Sequence, residues 1–217
     1  MYKRQLGAFV AAVMDRDWVE NKLSTNTYSA YKRPWLYVAA VLLALACGTK
    51  WSGVWFVLAI GLLIVFFEAR TRIKLGLPFP HKTTWLNVLK VLPVVILILI
   101  IGYMATWYGW IASDNAYARQ WAAANPTDGL HFLPEFLRSL IHYHQSAFDF
   151  HTNLHTKHSY QSNPWSWPLN LRPTSFYYED YAQGVKGCDS SKCSEEVVAL
   201  GNPLISWAGT LAILHQV

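Results

Sequence analysis

The densest chemistry in this chain lies between His158 and Pro173, in the run His-Ser-Tyr-Gln-Ser-Asn-Pro-Trp-Ser-Trp-Pro-Leu-Asn-Leu-Arg-Pro. Pro164, Pro168 and Pro173 each remove a backbone donor and push the preceding residue toward extended geometry. That excludes a continuous helix or a central strand. Trp165 and Trp167 offer flat apolar faces, either to anchor the chain at a water–lipid boundary or to stack on a sugar or an isoprenoid chain. Arg172 offers a planar donor fork that suits phosphate, or a structural ion pair equally well. A rigid aromatic connector of this kind is suited to gripping a ligand that comes partly from a bilayer.

Six of the eight histidines fall between His131 and His158. The expected helix from Asp128 to His155, extended to His158, puts His151, His155 and His158 on one face. Imidazoles at such spacing can converge on a metal, bridge a phosphate, or pack. No His-Glu-x-x-His pattern is present and few carboxylates lie nearby, so no metal ligands are assigned. Lys50 stands alone in an apolar stretch. A cation there is costly to bury, so it either serves a function or snorkels to the surface.

The elements that must hold these groups are membrane helices. The chain is 53% hydrophobic and only 14% charged, and the charge is uneven. Residues 35–67 and 85–111 carry one lysine each, whereas 112–199 is polar. Such concentrated apolar runs predict an all-α polytopic membrane protein. The 11 Trp and 12 Tyr fit interfacial anchoring. The net charge of +5 reflects loop topology, and no basic run with interleaved aromatics points to nucleic acid.

Length and charge set the expected topology. Residues 85–111 would run about 40 Å as a helix, enough for one tilted span, with Pro93 kinking its first turns. Residues 35–67 are either two helices with a turn at Lys50 or one long helix. Loops 15–33 and 68–84 hold eight Lys/Arg, against six in all of 112–199. The positive-inside rule puts both short loops in the cytoplasm. The stretch between them must then cross twice, as a hairpin with Lys50 at the outer surface beside the exoplasmic segment 112–199. Residues 6–14 and 200–217 are too short to span and read as partial helices of a cut piece. Cys47 reads as a packing residue. Cys188 and Cys193 lie in a polar loop, where an oxidising compartment would bridge them.

His158, Tyr160, Ser162, Pro164, Trp167 and Pro168 spell H-x-Y-x-S-x-P-x-x-W-P, which resembles the motif of the protein O-mannosyltransferases. The turn Lys50-Trp51-Ser52-Gly53, Arg172-Pro173, Gly201-Asn202-Pro203 and the Cys188/Cys193 pair are similar to the bacterial, actinobacterial-like branch. The resemblance covers roughly residues 15–217. It implies a GT-C fold and inverting transfer of mannose from polyprenyl- or dolichyl-phosphate-mannose to Ser/Thr hydroxyls of exported proteins. It implies no cofactor, a plasma-membrane location, and contact with acceptor proteins and with the export machinery. The expected substrate-binding residues are Lys50, Trp51, His155, His158, Tyr160, Ser162, Trp165, Trp167 and Arg172. The family's general-base carboxylate belongs to a first outer loop upstream of Met1, so no catalytic residue is assigned; Asp15 and Asp17 fall in the expected cytoplasmic loop. The β-trefoil insertion of eukaryotic members has no room here. A transferase acting on a glycolipid or polysaccharide, and an inactive membrane relic, remain the alternatives. A transporter is disfavoured, because the spans lack paired charges.

Overall fold

The computed structural model describes residues 2–155 and 161–216. It divides into two compact units, Met1–Ser146 and Ala147–Val217.

The first unit is built on four helices, α1 (Tyr2–Ser24), α2 (Pro34–Thr49), α3 (Gly53–Lys74) and α4 (Pro80–Thr106). The chain turns sharply at Lys50–Ser52, so 35–67 lies in two helices rather than one. Helices α3 and α4 are long and apolar enough to cross a membrane, and α2 is a shorter apolar helix. Leu58, Leu62, Phe66, Leu89, Leu97 and Ile101 point outward from α3 and α4. An apolar surface that extensive suits lipid rather than water. Small residues make the interior. Ala8, Ala11 and Ala12 of α1 pack with Ala39 and Leu43 of α2, the kind of close backbone approach by which helices associate in lipid. At one end Gly48 meets α4 so closely that a Cβ there would lie 2.3 Å from Thr106 Oγ1.

Residues 6–14 are not a separate partial span, since α1 continues unbroken to Ser24, about 34 Å in all. The expected loop 15–33 therefore begins only after Ser24. The reason is that Asp15, which interrupts the apolar run, is buried and paired. Arg33 donates from Nε to Asp15 Oδ1 at 3.2 Å and from Nη2 to Oδ2. Helix α3 likewise overruns the expected loop 68–84. Glu68 accepts from Arg33 Nη1 at 2.6 Å, from Arg72 Nε and Nη2 at 3.0 and 2.9 Å, from Asn87 Nδ2 at 2.8 Å and from Tyr28 at 3.2 Å. One buried carboxylate thus ties α2, α3, α4 and the 25–33 loop together, and through Arg33 it reaches α1. The span expected at 85–111 starts earlier, at Pro80, and ends at Thr106. Pro80 sits in the first turn, where its missing N–H costs nothing.

Helix α5 (Tyr108–Ile111) and helix α6 (Trp121–Ala124) are single turns leading to α7 (Glu135–Asn153). The expected helix 128–155 is thus shorter at both ends. Arg138 takes up the missing start. Its Nη2 donates to the carbonyls of Asn125 (2.9 Å), Pro126 (3.2 Å) and Asp128, which holds 125–128 as an irregular loop.

In the second unit, a 3₁₀ helix (Pro164–Leu169) precedes strands β1 (Thr174–Ala182) and β2 (Lys192–Ala199) and helix α8 (Pro203–Gln216). The hairpin corrects the all-α expectation. Its strands carry the aromatic and β-branched residues that favour a pleat, Phe176, Tyr177, Tyr178, Tyr181, Val197 and Val198. They pair antiparallel, Thr174 opposite Ala199 through Ala182 opposite Lys192, with an irregularity between Ser175 and Tyr177. The intervening turn places Gly184 and Gly187 at φ 81° and 78°, where a side chain would be strained.

Cys188 and Cys193 are bridged, with Cα atoms 5.8 Å apart. Closing that short loop removes about 2 kcal/mol of unfolded-chain entropy. Thiol labelling of these two cysteines is expected only after reductant, and reduction should speed amide exchange across β1 and β2. Labelling without reductant would remove the bridge.

The hairpin is also pH-sensitive. Hydrogen bonds from Tyr177 and Tyr181 hold the Glu179 carboxyl below the ordinary carboxylate range, and one from Tyr178 does the same for Asp180. This stabilisation exists above that range and fades as pH falls through the lowered values. The same bond to Glu179 pushes Tyr181 up to about 12 and raises Tyr177, while Asp180 raises Lys192. The Tyr181 contribution is complete below 10.0 and is lost as pH climbs toward about 12. Tyrosinate absorbance should therefore show a late-ionising fraction that moves to lower pH in Glu179→Gln. An unchanged titration would sever the link.

Candidate functional site

At the α2–α3 turn a groove of about 490 Å³ opens among α2, α3, α4 and α7. Ala44, Cys47, Val57, Leu99, Ile100 and Met104 give it apolar walls, and the rings of Trp51, Tyr103 and His144 close one end. Each arrives for a local reason. Trp51 lies in the three-residue turn that separates two helices too apolar to be one. Tyr103 is on the last turns of α4. His144 comes from the middle of α7, whose first half is anchored by Ala122 N–H donating to Ser139 Oγ at 3.1 Å and by His142 stacked 4.0 Å from Trp121.

The three side chains form a chain of hydrogen bonds. The Leu140 carbonyl can only accept, so the His144 Nδ1 facing it at 2.7 Å carries a proton. With one proton on the ring, Nε2 accepts from the Tyr103 hydroxyl at 2.6 Å. The Tyr103 oxygen accepts in turn from Trp51 Nε1–H at 3.2 Å. The His144 ring lies between aromatic faces, 5.5 Å from Trp51 and 4.9 Å from Trp107. Tyr143 extends the cluster to Trp110 and Tyr117. Trp107 Nε1 is buried with no acceptor among the described residues. Buried donors are nearly always satisfied, so this one is an exception within the aromatic cluster.

Of the residues expected from sequence, Trp51 is in this site and Lys50 adjoins it. Lys50 caps α2 through its backbone N–H to Ala46 O at 3.1 Å, and its side chain is exposed. His155 lies beyond the end of α7 and is exposed. His158 and Tyr160 fall outside the described residues. His151 and His155 do not share one helical face, because the helix stops at Asn153. No group of three or more His, Cys, Asp or Glu that would hold a metal occurs among the described residues.

The remaining candidates belong to the second unit. Asn163 caps the 3₁₀ helix by accepting from Trp165 N–H at 3.1 Å. Ser162 Oγ accepts from Trp167 Nε1 at 3.1 Å and pairs with Ser166 Oγ at 3.0 Å. Trp165 is 88% exposed and Trp167 61%. The connector is held to α8 through Trp207 Nε1 to Leu169 O at 3.0 Å and Thr210 Oγ1 to Pro168 O at 3.1 Å. Arg172 follows on the exposed surface.

Comparison with known proteins assigns the family. Residues 136–217 match the model of the C-terminal four TMM region of protein-O-mannosyltransferase. The polyprenol-phosphate-mannose–protein mannosyltransferase of Mycolicibacterium smegmatis is 33% identical over 219 residues, 91% of this chain. That of Mycobacterium tuberculosis is 33% identical over 93% of the chain, and that of Corynebacterium glutamicum 30% over 84%. This chain belongs to the protein O-mannosyltransferase family. It spans 41%, 42% and 36% of the length of these three mannosyltransferases. No solved structure matches at a significant level.

Sequence reasoning missed Tyr103 and Trp107 as site residues of this mannosyltransferase-family chain. Their i, i+4 spacing at the end of an apolar span was a usable signal, since it stacks two amphipathic rings at one membrane boundary. His144 was counted only among the six histidines between His131 and His158.

Proposed function

We propose that the protein acts in the transfer of mannose from polyprenyl- or dolichyl-phosphate-mannose to Ser/Thr hydroxyls of exported proteins. The observation that carries this reading is the groove, whose walls are apolar as an isoprenoid chain requires and which the rings of Trp51, Tyr103 and His144 close at one end. The names of the relatives that align along the chain agree with it.

In the reaction the acceptor oxygen bonds to C1 of mannose as the C1–phosphate bond breaks. The acceptor proton passes to a general base, and the lipid phosphate leaves with the bonding pair. No residue of this chain is assigned as that base. Lys50 offsets charge building on the phosphate, which a fixed cation does best in a water-poor setting. Trp51 stacks beside the donor. His155, His158, Tyr160, Ser162, Trp165, Trp167 and Arg172 belong near the donor headgroup or the acceptor peptide. The chemistry needs no cofactor from these residues. The protein is a multi-pass protein of the plasma membrane with residues 112–199 outside, where acceptor chains emerge from export. The eight Lys/Arg of 15–33 and 68–84 and the Cys188–Cys193 bridge support that orientation.

The test is transfer in membranes that lack any other protein mannosyltransferase, given radiolabelled polyprenyl-phosphate-mannose and a Ser/Thr-rich peptide. Labelled peptide is the expected product. Label on a glycolipid alone would assign a different acceptor class and overturn the reading.

A further inference from the structure

A second cavity, of about 400 Å³, lies at the opposite, basic end of the four-helix unit. Its lining brings Tyr28 and Ser29 from the α1–α2 loop together with Arg72 of α3 and Thr83, Asn87 and Lys90 of α4. The lining holds two cations, several hydroxyls and an amide, and no carboxylate. Glu68 lies close behind it, but its oxygens already accept from Arg33, Arg72, Asn87 and Tyr28.

Donors are left over. Arg72 directs Nε and Nη2 to Glu68, and its Nη1 makes no hydrogen bond among the described residues. The Arg72 side chain is only 6% exposed and is held over the Tyr28 ring at 5.1 Å. Lys90 is exposed and forms no ion pair among the described residues. A fixed guanidinium and a flexible ammonium, with hydroxyls between them, are what a phosphate group selects.

The surroundings decide which phosphate. Tyr31, Phe79 and Trp85 stand exposed on the same elements, at 55%, 75% and 56%. Aromatic rings beside basic residues mark the headgroup depth of a membrane. A site opening there meets lipid headgroups before it meets soluble anions, and basic residues at that level attract anionic lipid.

We propose that this cavity binds the phosphate headgroup of an anionic phospholipid, at a site separate from the groove at Trp51. Arg72 and Lys90 clamp the phosphate, with Thr83 and Ser29 donating to its oxygens. Arg72 also serves the buried network, so the variant that isolates the lipid role is Lys90→Gln, with Thr83→Ala as its partner. Lys82→Gln, on the same helix but outside the lining, is the control.

The experiment purifies the full chain from bilayer nanodiscs containing phosphatidylglycerol and phosphatidylcholine, and counts retained lipid by native mass spectrometry. One retained phosphatidylglycerol is expected, with retention weakened about tenfold in Lys90→Gln and unchanged in Lys82→Gln. Equal retention of the two lipids would overturn the proposal, as would matching losses in the two lysine variants. Adding millimolar inorganic phosphate separates the sources: persistence of the lipid supports a headgroup site, whereas full displacement would assign the cavity to a free anion and overturn the lipid reading.

Discussion

Replacing Glu68 with alanine is expected to destabilise the four-helix unit by about 3–5 kcal/mol, the cost of leaving buried charges without their partner. Glu68 is 2% exposed, and Arg33 and Arg72 are 3% and 5% exposed. Two guanidinium groups would lose a carboxylate acceptor. Arg33 would keep Asp15, so the damage should centre on Arg72 and Asn87. Glu68→Gln retains an oxygen to accept with and should fall between wild type and alanine. Asn87→Ala removes one neutral donor while the charges stay paired, and should cost only about 1 kcal/mol. Unfolding in detergent, followed by helical circular dichroism, reads the series. A loss below about 1 kcal/mol in Glu68→Ala would mean that the packing of Ala8, Ala12, Ala39 and Leu43 holds the helices without the network. The buried cluster carries no net charge, two arginines against Asp15 and Glu68, which is why it can sit inside a bundle at all.

What the sequence made legible follows from how local each signal was. The α2–α3 turn was legible because the Lys/Arg of the two flanking loops put both on one side, so the apolar stretch between them had to cross twice. The non-helical connector was legible because proline acts on its own neighbours. The buried Asp15–Arg33–Glu68 cluster was not. Single charges near an apolar run look like loop residues until a partner 18 or 35 positions away is brought within hydrogen-bonding distance. Hence α1 and α3 were expected to stop early. The hairpin was hidden for another reason. Its strands are exposed on both faces, so no apolar alternation marks them; tyrosine–carboxylate pairing and the disulfide support it instead. The site itself was half legible. Trp51 stood out by its turn, whereas Tyr103 and Trp107 were masked by the span that carries them, and His144 by the helix whose pattern it completes.

Removing the His144 ring is expected to lower mannose transfer by about 10- to 100-fold, the effect of losing an interaction of 1.4 to 2.7 kcal/mol in the transition state. In His144→Ala the Tyr103 hydroxyl loses its acceptor and Trp51 and Trp107 lose the ring between them. The turn that carries Lys50, the cation proposed to face the leaving phosphate, then loses its brace. The loss should appear in kcat rather than in KM for the lipid donor, because the apolar walls proposed to hold the isoprenoid chain are untouched. Tyr103→Phe keeps the ring and removes only the hydroxyl that links Trp51 to His144, so it should give a smaller drop of the same kind. His144→Gln offers an amide oxygen to Tyr103 and should recover part of the rate, which a purely packing role would not produce. Kinetics on membranes with matched protein levels and matched thermal midpoints make the comparison. If His144→Ala and Tyr103→Phe both transfer mannose within twofold of wild type, the groove at Trp51 is not where the donor phosphate sits.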